Sequence, residues 1–249
     1  MDRQLHAPLI FVHMFKAGGT SLRRIIRSQF PAKAKVWQSI GKPEELAAWL
    51  ALSQDERDQH DLLMAHEHYG LHQSLTRNAT YLTMLRDPVD RILSFFYFVK
   101  RTKTHYLYRH GFTDDTTLEE FITRRNLELD NVQTRLLVPH SEGSIDFGAV
   151  DERLSRIALA NLNKIERVGI LERMDDFLDL LNVVEGWNVS AAPVMNRTEK
   201  RPGVEEHSEA VIARIREMNA YDVRLYEAAR ERFERDWAEC QSTLKKVDA

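Results

Sequence analysis

The 249 residues predict an α/β fold of three layers, a central parallel sheet flanked by helices with a helical C-terminal extension. Three observations lead there. Short apolar runs alternate with helix-like stretches, the pattern of βαβ units. The first run ends in a glycine turn that opens into a helix. Charge-rich helical sequence then fills the last forty or so residues.

Each element follows from local chemistry. "APLIFVH" reads as a buried strand and "TSLRRIIRSQF" as the helix after it, with Thr20 or Ser21 near its cap. "KVWQSI" is a strand, and "KPEELAAWLALSQ" a helix with Pro43 and acidic residues in its first turn. "DLLMAHEHYG" reads as a strand ending in histidines and a glycine. "TYLTMLRDP" is another strand, stopped where Asp87 precedes Pro88, and "VDRILSFFYFVKR" has helical periodicity. After a polar, aromatic-bearing connection come "LEEFITRR", "DNVQTRLLV" and "DERLSRIALANLNK" as helices, "IERVGIL" as a strand and "MDDFLDLLNVV" as a helix. "AAPVMNRTEKRPGV" is a basic loop, and one helix is expected from Glu205 to about Lys245. With no repeat or linker, residues 1–249 are read as a single domain.

Composition narrows the class. The formal net charge of −3 provides no basic field for nucleic acid. Cys240 is the only cysteine, so no intrachain disulfide or multi-cysteine metal site can form. No apolar run approaches the roughly 20 residues of a membrane span, and the N-terminal stretch lacks a leader pattern. The expected setting is the cytoplasm, with oligomeric state left open.

In such sheets ligands bind beyond the carboxyl ends of the strands. At the first, "FVHMFKAGGTSLRRII" places Lys16, Ala17, Gly18, Gly19, Thr20 and Ser21 between strand and helix. Glycines permit close backbone approach, helix N–H groups point at an anion, hydroxyls add donors, and a lysine adds a point charge. The ATPase order G-K-[ST] is absent, because the lysine precedes the glycines. In "LRDPVDRILSFFYF", Arg86 leaves a strand end and Ser94 lies two turns into the next helix. Both can face one anion.

The two motifs together resemble those of PAPS-dependent sulfotransferases, nearest to the carbohydrate branch around heparan sulfate 2-O-sulfotransferase and its bacterial relatives. The resemblance implies a P-loop-type domain. It implies that Lys16 to Ser21 hold the 5′-phosphosulfate of 3′-phosphoadenosine 5′-phosphosulfate (PAPS), and that Arg86 and Ser94 hold its 3′-phosphate. "LLMAHEHYG" is similar to the segment carrying the family's catalytic histidine. "IERVGILERMDDFLDLL" resembles its VG-x-x-E segment, and "DVRLYEAARERF" its terminal helix. "NRTEKRP" resembles its late basic loop, adding Thr198 and Arg201 to the nucleotide contacts. Phe15, Ala17 and Ala65 depart from the usual proline, threonine and glycine, which alters loop shape more than its backbone chemistry.

On a strand His66 and His68 would share a face and Glu67 would point away. With no further ligand conveniently spaced, no metal is expected. The family position favours His66 over His68 as the base, with Lys16 as its catalytic partner. The implied reaction moves the sulfuryl group from PAPS to a hydroxyl acceptor, a carbohydrate by branch, leaving adenosine 3′,5′-bisphosphate (PAP). An ATP-using kinase and a silent nucleotide-binding scaffold are the rival readings. Asn131, Gln133 and Arg135 either line an acceptor site or belong to an exposed amphipathic helix.

Overall fold

The computed structural model describes residues 7–189 and 202–247. Five parallel strands form its sheet in the order β2-β3-β1-β4-β5: β1 (Leu9–Val12), β2 (Val36–Ser39), β3 (Leu62–Ala65), β4 (Thr80–Leu85) and β5 (Arg167–Ile170). The chain fills one side of β1 with β2 and β3, then crosses to add β4 and β5 on the other. Register aligns the carboxyl ends, with Val12 opposite Ala65 and Thr83, and Leu85 opposite Ile170. His13, His66, Arg86 and Leu171 therefore leave the sheet along one edge. Strands β1, β3 and β4 are almost wholly buried apolar residues, as a sheet covered on both faces requires, while the edge strand β2 is only partly buried.

The helices are α1 (Gly19–Ser28), α2 (Pro43–Ala51), α3 (Gln54–Asp58), α4 (Pro88–Arg101), α5 (Tyr106–Arg109), α6 (Leu118–Ile122), α7 (Val132–Leu137), α8 (Glu152–Leu162), α9 (Met174–Glu185), α10 (Glu209–Met218) and α11 (Ala220–Val247). One core lies against the sheet; a second gathers Phe95 and Phe96 of α4 with Phe112, Phe121 of α6 and Ile215 of α10. Helix α4 thus packs its apolar side away from the edge where the motifs gather.

Several boundaries differ from expectation. Helix α2 stops at Ala51 and α3 restarts behind Ser53, whose hydroxyl accepts from the Glu56 N–H while the Glu56 side chain bonds back to Ser53. β3 ends at Ala65, before the histidines, where its partner β2 ends at Ser39; the His66 N–H makes the last rung, to the Ser39 carbonyl at 3.2 Å. The long C-terminal helix is two. Asn219 breaks it, spending its side chain on the Leu129 and Ile215 carbonyls and on the Asn131 N–H.

That break matters because α7 and α11 cap each other. Asp222, fully buried, accepts from the N–H groups of Gln133 (3.1 Å) and Thr134 (2.7 Å). In return Asn131 Oδ1 accepts from the N–H groups of Tyr221 and Asp222, both at 3.0 Å. At the other end of α7, the carbonyls of Leu136, Leu137 and Val138 take the Tyr69 N–H, the Asn161 amide and the His68 ring. A six-residue helix can be buried on every side only if its end groups are claimed in this way.

Asp222→Ala would strand two buried amides, each worth about 1–3 kcal/mol when orphaned. We expect it to lower unfolding stability by about 2–5 kcal/mol in urea titration, with Asp222→Asn losing less; a loss within ~0.5 kcal/mol of wild type would contradict the reciprocal cap.

Candidate active site

Gly18 caps α1 in the left-handed region, φ 72°, a conformation open to glycine at little cost. The helix therefore begins two residues earlier than the hydroxyl-cap reading placed it, and Thr20 and Ser21 fall within its first turn. Thr20 is exposed and Ser21 buried. No side chain caps α1, and no described acceptor takes the N–H groups of Gly19 and Thr20. These donors, at the positive end of a ten-residue helix, fit an anion. Gly19 is fixed by a second demand: a Cβ there would lie 1.9 Å from the His13 ring.

The fold brings Lys16, Arg86 and His66 to this turn. Lys16 also takes a left-handed backbone, φ 61°, and its Nζ sits 3.8 Å from the centroid of the Phe98 ring. Burial pushes its pKa down to about 8, aided by Arg101 and Arg86 and opposed by Glu128. The lysine is thus a half-buried cation packed on α4 rather than a mobile charge at the loop's edge. Arg86 Nη1 donates to the Lys16 carbonyl at 3.1 Å, and its Nη2 lies 3.9 Å from Asp90 Oδ1. Asp90, Ser94 and Phe98 are spaced i, i+4, i+8 on α4, so half-buried Ser94 lies on the stripe between the Arg86 and Lys16 contacts.

His66 Nδ1 is 2.7 Å from the His13 carbonyl, which can only accept. The proton therefore sits on Nδ1, and Nε2 presents a lone pair. Its ring is sandwiched between His13 at 3.9 Å and Phe15 at 4.2 Å. Phe15, a departure from the family pattern, thus builds one wall of the histidine's slot. Burial pushes the His66 pKa down to about 4 and that of His13 to about 2, so both rings are neutral at pH 7.

His68 does not share this setting, correcting the common-face expectation. Past the end of β3, its Nδ1 bonds the Val138 carbonyl at 2.7 Å and its ring lies tilted against His140, centroids 4.2 Å apart. Buried Glu67 accepts from Ser39 Oγ at 2.7 Å and lies 3.2 Å from His140 Nε2. The polar residues proposed for an acceptor site are also relocated. Asn131, Gln133 and Arg135 are buried, with Arg135 paired to Asp130. They are not on an exposed face, because α7 is packed on all sides. Cys240 is buried, its thiol pKa raised by desolvation. Thr198 and Arg201 lie outside the described residues.

Glu172, from the VG-x-x-E segment, accepts the Asp87 N–H at 3.1 Å and the Tyr226 hydroxyl at 3.0 Å, tying β5, the β4–α4 turn and α11 together. Sequence reasoning passed over Phe98 and Glu128 and noted Phe15 only as a change of loop shape; these are apolar or isolated residues whose role depends on what folds against them. Among the described residues no group of three or more His, Cys, Asp or Glu side chains is arranged to hold a metal ion, and no helix is long and apolar enough to cross a membrane.

No curated protein matches the chain. The model of the sulfotransferase family matches residues 3–227, a span that runs from before β1 into α11 and takes in the glycine turn, the histidine slot and the Arg86 turn alike. On that match, with the parallel sheet beneath it, the chain belongs to the sulfotransferase family.

Proposed function

We propose that the chain transfers the sulfuryl group of PAPS to a carbohydrate hydroxyl, with His66 as base and PAP as the other product. The observation that carries this reading is the convergence of unclaimed α1 amides, Lys16 and Arg86 beside an imidazole whose Nδ1 is bound to the His13 carbonyl, leaving the lone pair on Nε2. PAPS, when bound, supplies the sulfuryl group and a bisphosphate leaving group. The residues that would hold it are Lys16 to Ser21 at the 5′ side and Arg86 with Ser94 at the 3′-phosphate, joined by Thr198 and Arg201 on family likeness.

His66 Nε2 takes the acceptor proton as the acceptor oxygen bonds to sulfur and the bridging S–O bond breaks. The His13 carbonyl holds the Nδ1 proton and so keeps the lone pair on Nε2. Lys16 and the α1 amides neutralise the charge left on the bisphosphate, the arrangement that positioning-dominated group transfer requires. His66 is the base rather than His68 in this reading because its slot is built from the glycine-turn residues themselves, His13 and Phe15.

PAP should stabilise the protein. At ~100 times its dissociation constant a ligand adds about 2.7 kcal/mol, a plain upward shift in Tm. Arg86→Ala should weaken PAP strongly and adenosine 5′-monophosphate little, with Ser94→Ala smaller in the same sense. No melting shift at millimolar PAP would refute PAPS dependence; equal weakening of both nucleotides would remove Arg86 from the 3′-phosphate.

His66→Ala should lower kcat by about 10²–10⁴-fold while PAP affinity stays near wild type. An active His66→Ala beside an inactive His68→Ala would transfer the role to His68.

Turnover should follow a bell-shaped pH profile. The base acts when neutral, so activity is lost as pH falls through the His66 pKa of about 4. The lysine acts when protonated, so activity is lost as pH rises through the Lys16 pKa of about 8. The bound anionic donor favours the protonated form of each and moves both limbs upward. Lys16→Arg should erase the alkaline limb, since guanidinium keeps its charge. A limb unchanged in Lys16→Arg would belong to another group.

A further inference from the structure

We propose that Gln133 is a positioning residue that sets nucleotide selectivity by holding the main chain of Arg86; this rests on the assignment of Arg86 to the 3′-phosphate. Arg86 lies between the end of β4 at Leu85 and the start of α4 at Pro88. Its N–H and C=O have left the sheet ladder and have not entered the helix. The Gln133 side chain supplies both partners. Its Oε1 accepts the Arg86 N–H at 2.9 Å, and its Nε2 donates to the Arg86 carbonyl at 2.9 Å. A primary amide can accept and donate in one plane and so stands in for a neighbouring strand; an ionised carboxylate only accepts, and a thioether does neither to useful strength.

The clamp is itself rigid. Gln133 is 0% exposed. Its own N–H donates to Asp222, which is anchored in the first turn of α11 and whose N–H is bound in turn by Asn131. From the clamped backbone the guanidinium runs to the Lys16 carbonyl and toward Asp90. A chain of contacts therefore leads from Asp222 through Gln133 and Arg86 to Lys16. The next residue of the turn is held the same way, its N–H bound by Glu172. An arginine fork reads phosphate oxygens by direction as well as charge, so the Cα from which it springs has to be fixed. Gln133 touches no nucleotide in this account; it acts only through Arg86.

The test is calorimetric titration of PAP and of adenosine 5′-monophosphate into wild type, Gln133→Met, Arg86→Ala and the double variant. Gln133→Met should weaken PAP about tenfold and the monophosphate by less than about twofold. In the Arg86→Ala background it should add nothing to the loss of PAP affinity, the signature of action through that residue. Ile165→Val, a buried change at the opposite end of β5, should leave the ratio of affinities at the wild-type value. A folded Gln133→Met with the wild-type ratio, or a loss that adds fully to that of Arg86→Ala, overturns the proposal. If Gln133→Met does not fold, Gln133→Asn withdraws the same amide by one methylene and must lower the ratio. An unchanged ratio there, or failure of both variants to fold, would make Gln133 a residue of stability alone. Wild type binding both nucleotides equally would instead defeat the assignment of Arg86 and the functional reading above it.

Discussion

The hydrogen bond from Arg86 Nη1 to the Lys16 carbonyl is the contact on which the site depends. It joins two motifs 70 residues apart in the chain. At its receiving end Lys16 is held at φ 61°, a conformation that costs a non-glycine residue roughly 1–2 kcal/mol. Gly18, also left-handed, follows two residues later and starts α1. With the turn set this way, His13 fits against Gly19, and the His13 carbonyl is placed to accept the hydrogen bond of His66 Nδ1–H. At its donating end the same arginine is held by Gln133 and, through it, by the α7–α11 pair of caps. The C-terminal helix is thus part of the site's support.

The electrostatics follow from how dry this edge is. Lys16 packs on Phe98, and His66 lies between two rings, so desolvation dominates both pKa shifts. The consequence is a neutral imidazole and a lysine whose charge is sensitive to its surroundings. Burial also raises the Glu128 carboxyl, which Arg91 and Lys16 oppose; a nearby carboxylate is the one influence that raises the Lys16 pKa. By contrast, the ion pairs on the outer helices, such as Arg224 with Glu152 or Arg214 with Glu217, are exposed and contribute little to stability. The dense charges of the last two helices serve mainly as a solvated face.

Much of this was legible in the amino-acid order. Apolar runs of strand length between helix-period segments specify a parallel sheet, because only a covered sheet tolerates strands apolar on both faces. The glycine pair after β1 marks the turn, since Gly18 alone there takes a left-handed backbone cheaply and only a residue without Cβ leaves room for His13 beside Gly19. Lys16, Arg86, Ser94 and His66 could be singled out for the same reason: each stands just past a strand end or one to two turns into the next helix, where parallel topology gathers ligands.

Other features depended on partners distant in sequence. The order of strands, not their number, puts His66 beside His13 and Phe15, and no local pattern marks Phe15 as the wall of a slot. "DNVQTRLL" has the polarity of an exposed helix, yet Asn131, Gln133 and Arg135 are buried, because Asn219, Asp222 and Asp130 satisfy their polar groups. The 205–245 segment has an unbroken helical period, but Asn219 ends one helix where its side chain finds buried carbonyls to bond. Local propensity and periodicity determined the sheet, the glycine turn and the residues at strand ends, since those follow from backbone sterics and the burial of apolar faces. Tertiary structure alone decided which polar side chains hold the site together, because the free energy of a buried hydrogen bond resides in a pair, and the second member lay up to 91 residues away.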